Sequence, residues 1–116
     1  MPSTSPHRAP PAEASFVTVR GRRLEVRFIS GRTARAPTCI FLHEGIGSVS
    51  LWREFPEQVA AATGCAAVVY SRYGYGQSDV REAPFDVDYM HREALDTLPA
   101  LIATLGIDRP ILIGHS

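Results

Sequence analysis

The sequence predicts an α/β fold: a β-hairpin followed by parallel strands that alternate with helices in a βαβαβ order. Three observations predict it. Residues 16–29 alternate apolar and polar side chains about a glycine-bearing turn. Three later runs, Cys39–Leu42, Cys65–Tyr70 and Pro110–Ile113, are apolar without alternation. Segments of helical period separate those runs.

The elements follow in order. Phe16-Val17-Thr18-Val19-Arg20 and Leu24-Glu25-Val26-Arg27-Phe28-Ile29 read as two strands joined at Gly21-Arg22-Arg23, with one face toward a core. Residues 30–37 form a polar connection. Cys39–Leu42 then reads as a strand covered on both faces, and His43-Glu44-Gly45-Ile46-Gly47-Ser48 as a glycine-bearing turn leaving its tip. Leu51–Glu54 makes a short helical turn, because Pro56 cannot lie inside a longer helix but suits the first position of one. That helix runs from Pro56 to a stop at Gly64, with Val59, Ala60 and Ala62 packing inward; Trp52 and Phe55 read as core. Cys65–Tyr70 is the next buried strand, and strand, helix, strand with short links implies a right-handed crossover.

Ser71–Asp79 is a second glycine-punctuated loop, a turn needing positive φ twice. After a surface loop over 81–88, a helix begins near Tyr89, with Asp86 or Asp88 as its cap. Leu95, Leu98, Ile102 and Leu105 lie on one face, Pro99 kinks or splits the helix near Leu95–Leu98, and Gly106 ends it. The last strand delivers Gly114-His115-Ser116.

Composition narrows the function. The 116 residues are 45% hydrophobic and 21% charged with a formal net charge of zero, as in an ordinary soluble globular domain. All twelve basic residues are Arg and balance twelve acidic ones, so no electrostatic case favours nucleic acid or a membrane surface as partner. Residues 1–15 carry four Pro and no apolar core of the kind a signal peptide needs, and read as a flexible tail of a cytoplasmic protein. Cys39 and Cys65 read as small buried hydrophobes, and the four scattered His give no metal-ligand spacing, so no metal is expected. Neither glycine loop fits a nucleotide cofactor. The 43–48 turn lacks Gly-x-Gly-x-x-Gly and no Gly-Lys-Ser/Thr follows it, and the 71–79 loop lacks a third glycine and leads into no helix. No cofactor is expected.

A buried strand ending in Gly114-x-Ser116 is the first half of a G-x-S-x-G nucleophile elbow, where small residues let the chain reverse sharply around a strained serine. Three stretches in this order resemble the N-terminal half of the α/β-hydrolase fold family, over roughly residues 16–116. Phe41–Ser48 is similar to the family's His-Gly oxyanion loop and Arg72–Asp79 to its Gly-x-Gly-x-Ser loop. Leu105-Gly106-Ile107 with Ile111–Ser116 is similar to its approach to the nucleophile. On this resemblance, residues 16–116 are the incomplete first part of one domain.

The resemblance implies nucleophilic acyl transfer on an ester, thioester, lactone or amide bond of a small-molecule substrate. Ser116 would attack, and the backbone N–H of Gly45 would be one of two oxyanion donors, each worth about 3–4 kcal/mol of barrier. Ile46 and His115 are candidates for substrate contact. Haloalkane dehalogenases and epoxide hydrolases are disfavoured, since those relatives place Asp at the nucleophile position.

Departures from the family pattern stand out. Glu44 replaces the usual Gly, and its carboxylate is expected to turn away, because a negative charge facing an oxyanion opposes catalysis. Ser71 and Tyr73 replace an Asp and an Arg, which puts a structural ion pair in doubt. The family's acid and base follow the serine in chain order, and His43, His91 and His115 are not substitutes, so the 116 residues by themselves are expected to be inactive. A non-catalytic hydrolase-like chain that binds a ligand or partner is the alternative. The family's strand order would put the last strand beside Cys39–Leu42 with Ile111–Ile113 as an exposed apolar edge, consistent with a piece of a longer protein.

Overall fold

The computed structural model describes residues 15–44, 47–81, 85 and 87–115. Five strands form one sheet in the order β1-β2-β4-β3-β5: β1 (Ser15–Val19), β2 (Arg22–Ile29), β3 (Thr38–Leu42), β4 (Ala66–Tyr70) and β5 (Pro110–Gly114). β1, β2 and β4 are joined antiparallel, whereas β3 is parallel to both β4 and β5. The predicted hairpin and parallel βαβαβ succession are therefore present, with the last strand beside β3.

The hairpin turn differs from the reading by two residues. Val19 pairs with Arg22, leaving Arg20 and Gly21 as a two-residue loop with φ of 52° and 80°. Such a loop matches the right-handed twist of the strands, so Arg22 and Arg23 belong to β2. The polar face of β2 is partly covered: Arg23 is exposed and Arg27 half-buried, but Glu25 between them is buried, its carboxylate bonded by Ser71 and Gln77 of the loop after β4.

Helix α1 (Phe55–Thr63) covers one face of the sheet, together with a 3₁₀ turn over Ser50–Trp52. Pro56 occupies its first turn, and Gly64 ends it at φ 79° with its N–H on the Ala60 carbonyl. Pro56 and Ala60, four apart, are the residues buried, and Val59 is half-buried. Ala62 is exposed, since it lies about 200° around the helix from Ala60. On this face Cys39, Phe41, Cys65, Ala67 and Val69 form a core with Val49 and Trp52. Both cysteines are buried and free, and burial together with the neighbouring Cys65 raises the Cys39 thiol pKa.

Across the sheet, Val19, Leu24, Val26, Ile40 and Tyr70 pack against Leu98 and Leu101. The helical segment supplying those leucines has three parts: α2 (Tyr89–Arg92), a π-helical turn over Glu93–Thr97, and α3 (Leu98–Leu105). Pro99 lies in the first turn of α3, so the expected break at Leu95–Leu98 is present as a π turn. The π turn advances the register, which leaves Leu95 71% exposed and makes Leu101 the central residue of this face. Asp88 is the N-cap of α2 without a side-chain capping bond, and Asp86 lies outside the described residues. β5 is the edge strand, with Ile111 43% and Leu112 52% exposed, as the expected strand order implied.

Candidate active site

The carboxyl ends of β3, β4 and β5 converge, and the two loops singled out in the sequence leave the sheet there. β3 and β5 are paired so that Leu42 faces Gly114, and the His115 N–H continues the ladder onto the Leu42 carbonyl at 3.2 Å. Parallel pairing thus brings the residue before Ser116 alongside the start of the 43–48 turn. Ser116, Gly45 and Ile46 lie outside the described residues.

His43, buried, organises the turn. Its Nε2 accepts the Arg72 backbone N–H at 3.0 Å, so Nδ1 carries the proton and donates to the Glu44 carbonyl at 2.7 Å. The pKa of the ring is lowered, first by burial and also by the Arg72 charge, against the opposing pull of the Glu44 carbonyl. Protonating Nε2 would oppose the Arg72 N–H, so geometry and electrostatics both keep His43 neutral.

The Glu44 carbonyl also accepts the Gly47 N–H at 3.0 Å and lies 3.5 Å from Arg72 Nη2. Arg72 Nη1 donates to the His43 carbonyl at 2.7 Å. Gly47 is required where it is, because a Cβ there would sit 2.9 Å from the His43 Cβ. Among the described residues, then, the turn is held by backbone carbonyls and one buried arginine.

A cavity of about 460 Å³ opens over this turn, between His43, Glu44, Ser48, Trp52, Phe55 and His115. Its apolar wall is an aromatic cluster: Phe41 meets Trp52 and Phe55 edge-on at 5.1 and 6.0 Å, and Trp52 stacks on Phe55 at 6.0 Å. Phe55, read as core, is 47% exposed, since it starts α1 at the cavity mouth. His115 packs its ring against Trp52 at 5.9 Å. A larger cavity of about 720 Å³ opens at the amino ends of the parallel strands, by Thr38, Ala66 and Arg109, and holds none of the candidate residues.

The second loop keeps its own geometry. Gly74 and Gly76 take φ of 92° and 52°, the two positive values expected. Glu25, 4% exposed, reaches this loop from β2: its Oε1 accepts the Ser71 hydroxyl at 2.8 Å and the Gln77 N–H at 2.9 Å. The Ser78 hydroxyl accepts the Glu25 N–H and donates to the Ser71 carbonyl, while the Ser71 hydroxyl also accepts the Val49 N–H. Ser71 therefore takes its carboxylate partner from β2, and Arg72 ties the loop to the 43–48 turn. The sequence reading missed Glu25 and Arg72. An acid in an alternating strand reads as solvent-facing, and no local signal in the sequence marked Glu25 as buried.

Among the described residues no group of three or more His, Cys, Asp or Glu could hold a metal ion, and no helix is long and apolar enough to cross a membrane.

Comparison with known proteins agrees with this architecture. Residues 37–116 match the alpha/beta hydrolase fold family. A proline iminopeptidase of Lactobacillus delbrueckii subsp. lactis is 30% identical over 90 residues, covering 78% of this chain and 30% of that protein. An epoxide hydrolase from Vigna radiata superimposes with a TM-score of 0.73 at 25% identity, over 90% of this chain and 32% of that one. A haloalkane dehalogenase loop variant from Bradyrhizobium elkanii gives 0.67 at 28% identity, over 88% and 31%. The chain spans 30% of the length of the curated relatives it matches. With a sheet of this order, a matching family over residues 37–116 and hydrolases among its relatives, the chain belongs to the α/β-hydrolase fold family.

Proposed function

We propose that this chain supplies the nucleophile and one oxyanion donor for serine acyl transfer in a hydrolase of the α/β fold. Ser116 attacks the carbonyl carbon of a small acyl substrate, and the Gly45 N–H meets the oxyanion that forms. The observation that supports this reading is the β3–β5 pairing, which seats His115, the residue before Ser116, beside Leu42 at the start of the 43–48 stretch.

The Gly45 assignment rests on the likeness of Phe41–Ser48 to the family's His-Gly oxyanion loop. His43 acts here as a positioning residue and not as the base, since both its ring nitrogens are engaged. Base and acid are therefore assigned to parts of the protein other than His43, and the 116 residues alone are inactive on this reading. Ile46 and His115 are proposed to contact the substrate, with His115 on the wall of the aromatic cavity.

The bond cleaved is an ester, thioester, lactone or amide; the iminopeptidase among the relatives keeps the amide in the set. Epoxide hydrolase and dehalogenase chemistry is not carried over, because serine stands at position 116.

Intact-mass spectrometry of the protein from its native source, after incubation with a fluorophosphonate, tests this. One adduct on Ser116 is expected, absent in Ser116→Ala, with ester or amide turnover falling by at least about 10³-fold. A folded protein that takes no adduct at Ser116 overturns the reading in favour of a non-catalytic, ligand-binding relative.

A further inference from the structure

A third cavity, of about 80 Å³, lies between the 72–81 loop, the start of β2 and the α2–π segment. Its lining is unlike that of the aromatic cavity. Arg22, Arg72, Arg81 and Arg92 contribute four guanidinium groups, and Glu93 is the only carboxylate lining it among the described residues. Its Oε2 accepts the Tyr70 hydroxyl at 2.6 Å, and burial raises its pKa against the opposing pull of that bond and of the Arg72, Arg81 and Arg22 charges, so one carboxylate faces three of the guanidinium groups. Asp79 is held on β2 by Arg23, and Asp88 and Arg92 have partners of their own.

The remaining three arginines are Arg22, Arg72 and Arg81. The Arg81 guanidinium lies over the Phe85 ring at 4.3 Å, Tyr73 at 5.3 Å and Tyr89 at 5.9 Å, and Arg22 lies over Tyr73 at 4.1 Å. Ring faces satisfy the flat face of a guanidinium and leave its N–H edges, in the plane, still needing acceptors. Among the described residues neither Arg22 nor Arg81 makes a side-chain hydrogen bond or ion pair. Arg72, only 6% exposed, spends Nη1 and Nη2 on the 43–44 carbonyls, and its buried Nε has no partner; the Arg81 Nε is likewise buried and unpartnered. Buried N–H groups of like-charged side chains around one small space call for a single multidentate acceptor.

We propose that this cavity binds a compact tetrahedral oxyanion, phosphate or sulfate, held by the guanidinium edges of Arg22 and Arg81 with Arg72 at its base. A space of about 80 Å³ is on the order of two to three water volumes, so it suits such an ion and excludes a nucleotide. Because Arg72 also holds the His43 and Glu44 carbonyls, occupation is communicated to the 43–48 turn.

Titration of the protein with inorganic phosphate and then sulfate, at ionic strength matched with chloride, tests this by calorimetry and by ¹H–¹⁵N spectra. Saturable one-to-one binding is expected, with shifts at residues 72–75, 81 and 43, and binding about tenfold weaker in Arg81→Gln and in Arg22→Gln. Arg35→Gln, which alters the lining of the 720 Å³ cavity at the amino ends of the parallel strands, should bind as the unaltered protein does. No saturable binding beyond the chloride-matched baseline overturns the proposal, as does binding that Arg22→Gln leaves unchanged. Arg22 is exposed, so that variant decides the matter even if Arg81→Gln fails to fold. No arm depends on Ser116, and the proposal stands or falls apart from acyl transfer.

Discussion

The loop over residues 71–81 carries two polar clusters that are resolved in opposite ways. In the first, Glu25, Ser71 and Ser78 close on one another and on the Gln77 and Val49 amides, so that each buried hydroxyl both donates and accepts. In the second, Arg22, Arg72 and Arg81 gather around a cavity, and the buried Nε atoms of Arg72 and Arg81 have no acceptor among the described residues. The difference teaches how to read buried polarity. A cluster that satisfies itself is structural and rigid, whereas one that stops short of satisfaction in a cavity is built around something else.

Breaking the closed cluster should have the largest effect. A Cβ at Gly76 would fall 2.4 Å from the Ser71 Oγ and 2.6 Å from the Glu25 Oε1, at φ +52°. Gly76→Ala is expected to cost about 4 kcal/mol in a urea unfolding series, and a cost near zero would show that the cluster is loose. Glu25→Ala comes next, at about 2–3 kcal/mol, because it orphans the Ser71 hydroxyl and the Gln77 amide; Glu25→Gln, which keeps an acceptor, should recover part of that loss.

The two titrating groups sharpen the comparison with opposite signs. The pKa of His43 is lowered from 6.5 in the folded state, so its contribution is fully present above 6.5 and is lost as pH falls through the lowered value. That of Glu93 is raised from 4.5, so its contribution is present below 4.5 and is lost as pH rises through the raised value. Urea midpoints against pH should therefore lose an acid-side slope in His43→Gln and an alkaline-side slope in Glu93→Gln. Identical pH profiles in all three proteins would refute this assignment. The smallest effect belongs to the open cluster: Arg22→Gln should change stability by no more than about 0.5 kcal/mol, and toward stabilisation, since it removes a like charge.

Much of this was legible from residues alone. The apolar runs of β3, β4 and β5, the glycine stops at Gly64 and Gly106 and the break before Pro99 are written in local chemistry: no side chain alternation, no Cβ at a left-handed φ, no amide in a proline ring. The same holds for the two positive φ values at Gly74 and Gly76. Leu95 was misplaced because a π turn shifts the helical register by an amount that a fixed 3.6-residue period cannot carry. Ala62 and Phe55 were misplaced because burial depends on which side of α1 faces the sheet.

What the sequence by itself determined is the succession of elements and the family pattern of its loops, since both depend on neighbours within a few positions. Only the tertiary structure decided that Glu25 is buried against Ser71, that Arg72 clamps the His43–Glu44 turn, and that arginines 22 and 81 share one tyrosine ring. Glu25 and Ser71 lie 46 residues apart in the chain and Arg72 and His43 29, with Arg22 comparably remote from Tyr73, and it is the order β2-β4-β3, not any local propensity, that brings the strand ends carrying them together.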